Sequence, residues 1–74
     1  MKMQEFLLLP EEDQLSTVWG KATFLKTHED DRFRYNLYAL ENYYIEIKYD
    51  IKRNTILEKV VFRHVELLDK YLFT

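Results

Sequence analysis

Residues 33–62 read FRYNLYALENYYIEIKYDIKRNTILEKVVF, and within them Tyr43-Tyr44-Ile45-Glu46-Ile47-Lys48-Tyr49-Asp50-Ile51 alternates apolar and polar side chains. A period of two is the mark of a β-strand with one buried and one wet face. The residues involved are aromatic or β-branched, which suits a pleated surface. Upstream, Phe33-Arg34-Tyr35-Asn36-Leu37-Tyr38-Ala39-Leu40 repeats the pattern, with Phe33, Tyr35, Leu37 and Ala39 on one face. Two such runs in succession predict an antiparallel hairpin.

Its register is set by the loop length. A two-residue loop, Glu41-Asn42, places Leu37 opposite Glu46 and Tyr35 opposite Lys48. An odd-length loop centred on Glu41-Asn42-Tyr43 instead pairs Leu37 with Ile47, Tyr35 with Tyr49 and Phe33 with Ile51. On the other face it sets Arg34 against Asp50 and Asn36 against Lys48. One residue of slip turns a whole strand over, so the cleaner apolar pairing is the expected one, with Asn42 in the left-handed conformation.

Outward from the hairpin, Lys21 to His28 is a candidate first strand, followed by a polar loop from His28 to Arg32. Lys52-Arg53-Asn54-Thr55 is the next turn, and after it two readings compete. Ile56, Val60 and Phe62 line one face of a fourth strand, or Thr55-Ile56-Leu57-Glu58 is a capping box that opens a long helix. The Val60-Val61-Phe62 run favours a strand, with a helix at about residues 64–72. Near the start, Leu9-Pro10-Glu11-Glu12-Asp13-Gln14 has a proline and three acids where a helix begins. Leu15, Val18 and Trp19 make an apolar stripe, and Gly20 stands as a C-terminal cap, which places this helix at about residues 10–19. Residues 2–8 read equally as a turn of helix or an extended lead-in.

The expected fold is therefore α+β: one domain over residues 1–74, a small antiparallel meander of three to four strands, packed on one face by an N-terminal and a C-terminal helix. Phe24, Tyr35, Leu37, Ile45, Ile47, Trp19 and Leu68 are its expected core. The order α-β-β-β-β-α, with Leu9-Pro10, Val18-Trp19-Gly20, Leu37-Tyr38-Ala39-Leu40, Tyr43–Tyr49 and Leu68-Asp69-Lys70-Tyr71-Leu72, resembles short bacterial proteins with no assigned activity. The resemblance spans most of the chain and implies a bacterial, cytosolic setting; it brings no activity with it.

Composition narrows the function classes. Six Tyr and five Phe exceed what so small a core needs, and surplus rings point to an interface. A net charge of −2 is a poor electrostatic match for phosphate backbones. The absence of cysteine removes disulfides, thiolate metal sites and cysteine nucleophiles. Residues 1–9 contain only four consecutive apolar residues, too few for a signal-peptide core or a membrane span, so a cytoplasmic protein is expected.

No catalytic constellation is legible. His28 beside Glu29, Asp30 and Asp31 matches the spacing of neither a zinc site nor a calcium loop, and reads as a solvated hairpin tip. His64 reads as a capping or packing residue. Ser16 has no base near it in sequence, and a single glycine leaves no phosphate-cradling loop. No catalytic residue, metal site, cofactor or small-molecule substrate is expected. The expected function is a non-catalytic protein–protein interaction module that binds another protein or a second copy of itself as a homodimer, with Arg34, Tyr38, Leu40, Tyr44 and Lys48 as the partner-binding face. The alternative is a small nucleic-acid-binding protein, in which Arg32, Arg34, Lys48, Lys52 and Arg53 interleave with Tyr38 and Tyr44 on the outer face of the sheet.

Overall fold

A computed structural model describes residues 1–63; the helix expected at about 64–72, with Leu68, lies outside the described residues. Two helices, α1 (Met3–Leu7) and α2 (Glu11–Lys21), precede four strands, β1 (Thr23–Glu29), β2 (Phe33–Leu40), β3 (Tyr43–Asp50) and β4 (Thr55–Phe62). The strands form one antiparallel sheet in the order β1-β2-β3-β4, the expected meander. The segment after residue 54 is a strand, as the Val60-Val61-Phe62 run implies.

The hairpin register is not the expected one. Leu37 pairs with Glu46, Tyr35 with Lys48 and Phe33 with Asp50, so the β2–β3 loop is the two-residue Glu41-Asn42 turn. Glu41, not Asn42, takes the positive φ, at 55°. A positive φ at the first central residue is the twist that a two-residue hairpin needs to match its strands. Turn geometry therefore outweighs the tidier side-chain pairing.

One consequence is that both faces of the sheet carry core residues. On the first face Tyr43, Ile45 and Ile47 of β3 meet Leu40 of β2 together with Phe6 of α1 and Val18 of α2. Phe6, Ile45 and Ile47 are fully buried. On the second face Leu37 and Phe62 are buried against Tyr35, Tyr44 and Val60. Glu46 lies in this apolar row, between Leu37 of β2 and Val60 of β4. Lys48 fits the same face through its charge: its Nζ sits 4.2 Å from the centre of the Phe33 ring.

Local chemistry explains the helical cover. Gln14 is buried in the middle of the α2 face, and its Nε2 donates to the carbonyls of Leu9 at 3.0 Å and Leu7 at 3.4 Å. Those carbonyls belong to the end of α1 and the connection to α2, where backbone acceptors lack helical partners. The Tyr43 hydroxyl donates to the Met1 carbonyl at 2.9 Å, which fastens the start of α1 to β3. Lys59 of β4 reaches Glu11 at the start of α2, Nζ to Oε2 at 2.6 Å.

Gly20 is not a left-handed cap. It lies inside the last turn of α2, which ends at Lys21 with Ala22 extended (φ −79°, ψ 152°), and no glycine has a positive φ.

Candidate interface on the helix and sheet surfaces

The five residues expected to form one partner-binding face divide between the two sides of the sheet. Arg34, Tyr38 and Leu40 alternate onto the side that the helices cover, because their β3 partners are Tyr49, Ile45 and Tyr43. Leu40 is buried there, and Tyr38 packs beneath Trp19 and Phe24. Arg34 Nε donates to Glu29 Oε2 of β1 at 2.8 Å. Tyr44 and Lys48 point the other way. Tyr44 stacks on Phe62 with ring centres 5.6 Å apart. The one-residue change in register turns β2 over relative to the expectation, and the outer platform of basic and aromatic side chains is not assembled on a single face.

The structure gathers a different aromatic group. Trp19 projects from the last turn of α2 and Phe24 from β1, and both rings make edge-to-face contacts with Tyr38, with ring centres 5.7 and 5.6 Å apart. Edge-on contacts of this kind contribute about 0.5–1.5 kcal/mol beyond area burial. Trp19 and Phe24 nevertheless remain 52% and 54% exposed, which corrects their expected place in the core. Leu25, next along β1, is also exposed.

The misplacement of Trp19 has a legible cause. Its stripe, Leu15, Val18 and Trp19, assumes that a polar residue would not sit at the centre of the buried face. Gln14 does sit there, because its amide satisfies backbone carbonyls, and the face centres on Gln14 and Val18. That rotates Trp19 to the rim. A helix that must close a tight helix–helix corner needs such a donor, and this is the signal the hydrophobic stripe lacks.

Both sheet edges are interrupted. A bulge at Leu25 breaks the β1–β2 pairing and one at Leu57 breaks the β3–β4 pairing. Bulges on edge strands twist the ladder and hinder addition of a further strand. The observations thus favour side-chain contact at the aromatic corner over extension of the sheet.

Electrostatics at the remaining positions are structural. Asp30 Oδ1 accepts the backbone N–H groups of Phe33 at 2.8 Å and Arg32 at 2.9 Å, and these hydrogen bonds hold its carboxyl below the usual carboxylate range. Burial pushes the Tyr43 phenol above its usual value, with the carboxylates of Glu41 and Glu5 adding to the effect. Burial likewise raises Tyr49, and the neighbouring Tyr38 adds to that shift. His28 packs against the Tyr35 ring, 5.8 Å between centres. Among the described residues no group of three or more His, Cys, Asp or Glu is arranged to hold a metal ion, and no helix is long and apolar enough to cross a membrane.

Comparisons of the chain with protein-family models, with curated proteins and with solved structures found no match.

Proposed function

We propose that the chain is a non-catalytic protein-interaction module, cytoplasmic and bacterial, that self-associates through the corner formed by Trp19, Phe24 and Tyr38. The supporting observation is the half-exposure of two large rings already ordered on a third. Exposed aromatic side chains with little rotamer freedom left to lose are the usual anchors of an interface. A two-fold axis at this corner sets the same rings of two copies against each other, so one surface serves both partners. Tyr44 and Lys48, on the other side of the sheet, are outside this contact.

Trp19 is the chain's single tryptophan, so its emission reports burial of the corner directly. Light scattering behind size exclusion should give a dimer for the wild type, and its emission should shift to the blue as concentration rises. Phe24→Glu should give a monomer whose emission does not change with concentration, while Tyr44→Glu should leave the dimer intact. A wild-type protein that stays monomeric at millimolar concentration, or a dimer split only by Tyr44→Glu, overturns the assignment.

The nucleic-acid alternative keeps one supporting observation: Arg32, Lys48, Lys52 and Arg53 lie at one end of the sheet rather than across its face.

A further inference from the structure

That end of the sheet contains a cavity of about 490 Å³, lined by Arg32, Phe33, Asp50, Lys52, Arg53 and Leu57. It lies between the tips of the β1–β2 and β3–β4 hairpins, far along the strands from the aromatic corner. Backbone hydrogen bonds hold the two tips in place. The Ile51 N–H donates to the Arg32 carbonyl at 3.0 Å, which ties one tip to the other. The Asp30 carboxylate fixes the backbone of Arg32 and Phe33, and Asp50 Oδ1 accepts the Arg53 N–H at 3.1 Å. Asn54, with φ 54°, closes the second turn. The bulge at Leu57 brings an exposed aliphatic side chain to the cavity wall.

Ion pairs elsewhere on the surface join Arg34 to Glu29, Lys59 to Glu11 and the Met1 ammonium to Glu41. Arg32, Lys52 and Arg53 take part in none of these. The lining carries three cations against the single carboxylate of Asp50, and that carboxylate already accepts a backbone donor. Arg32 and Lys48 both lie over the Phe33 ring, at 5.1 and 4.2 Å, so the floor is a ring flanked by positive charge. A net lining charge near +2 matches a phosphate monoester, which carries about −1.5 to −2 at neutral pH, better than a carboxylate. The volume falls within the range of small-molecule sites and exceeds the needs of bare phosphate.

The geometry points to a binding site for a small phosphate monoester carrying a ring or other apolar group, its phosphate held by Arg32, Lys52 and Arg53 and its apolar part against Phe33 and Leu57. This site goes beyond the self-association surface and does not depend on it.

Phenyl phosphate is the direct probe, followed through the backbone amide resonances of the full chain. Saturable shifts are expected at Arg32, Phe33 and Ile51–Asn54, with inorganic phosphate and benzoate each at least about tenfold weaker. Lowering the pH from 7 to 5 should weaken binding several-fold, because the second phosphate proton is taken up near pH 6. Arg32→Gln combined with Arg53→Gln changes only exposed side chains, so the amide spectrum should be kept while the shifts are lost. A single-stranded oligothymidylate tests the polymer source of the same chemistry. No saturable shift up to about 20 mM phenyl phosphate, equal shifts with benzoate, or shifts unchanged in the double variant would each overturn the site. So would an oligothymidylate that binds far more tightly than phenyl phosphate with a steep loss in salt, which is the behaviour of a strand-binding surface.

Discussion

The two faces of the sheet bury similar side chains under different cover. On the first, Ile45 and Ile47 lie beneath Phe6 and Val18, so two described helices seal them. On the second, Leu37 and Phe62 are buried chiefly among residues of the sheet itself, with Tyr35, Tyr44 and Val60 around them. The first face also fixes its cover by specific polar contacts, from Gln14 to the Leu7 and Leu9 carbonyls and from Tyr43 to Met1. The second admits Glu46 and Lys48 into its apolar rows. A small sheet thus gains stability from both sides, but among the described residues only the first face holds a jigsaw of helix and strand whose parts cannot shift independently.

Truncation separates the faces most strongly. Ile45→Ala should cost about 4 kcal/mol, near the top of the range for a buried aliphatic residue, because rigid neighbours on three sides leave the cavity unfilled. In a chain of this size that approaches the whole stability. Leu37→Ala should cost about 2–3 kcal/mol, since Tyr35 and Tyr44 are only partly buried and can relax into the gap. Urea titrations measure both. Leu37 and Ile47 project from opposite sides of the sheet, so their alanine substitutions should be additive within about 0.5 kcal/mol, whereas Leu37 with Phe62 should couple. Strong coupling of Leu37 to Ile47 would restore the register that sets them side by side.

That register is the instructive part of the sequence. The alternation from Tyr43 to Ile51 reveals a strand, and the meander follows from it and its neighbours. Alternation selects a register only when one face is apolar and the other is not. Here Leu37 of β2 lies across Glu46 from Val60 of β4 and clusters with Phe62 and Tyr35, so either pairing buries apolar side chains. The decision passes to two turn residues, and a glutamate with positive φ is a weak sequence signal. The divided fate of Arg34, Tyr38, Leu40, Tyr44 and Lys48 follows from that single step. The aromatic corner was hidden for a separate reason, the buried amide of Gln14. The cavity between the hairpin tips was hidden because Arg32 and Arg53 are distant in the chain and are brought together by the β2–β3 register, which pairs Phe33 with Asp50, and by the bond from Ile51 to Arg32.

Tyr43 tests how the first face is fastened. Tyr43→Phe removes the hydrogen bond to Met1 and should cost about 1 kcal/mol at neutral pH. The phenol carries a second signature. Its folded pKa lies above the usual 10.0, so the neutral form is favoured by folding. The stability this confers is complete below pH 10 and is lost as pH rises through the folded value. Denaturation midpoints of the wild type should therefore fall above pH 10, and Tyr43→Phe should fall less steeply, keeping the share due to Tyr49. Identical slopes would show that the start of α1 opens before the phenol ionises, leaving the first face no better fastened than the second.

The smallest effect asks whether the helical cover limits the stability of the first face. Gly20 lies in the last turn of α2, has no positive φ, and a Cβ built on it meets nothing within 4 Å. Alanine there loses no contact and restricts the unfolded chain, so Gly20→Ala should stabilise by about 0.5–1 kcal/mol. For a chain of this length that raises Tm by about 3–6 °C. A left-handed cap at the same residue would give the opposite sign, because alanine is strained at positive φ. If the gain appears in full, α2 unfolds together with the sheet and the first face is one cooperative unit. If amide exchange in α2 slows while the global midpoint stays fixed, the helix opens separately, and the sheet draws its stability from both faces alike.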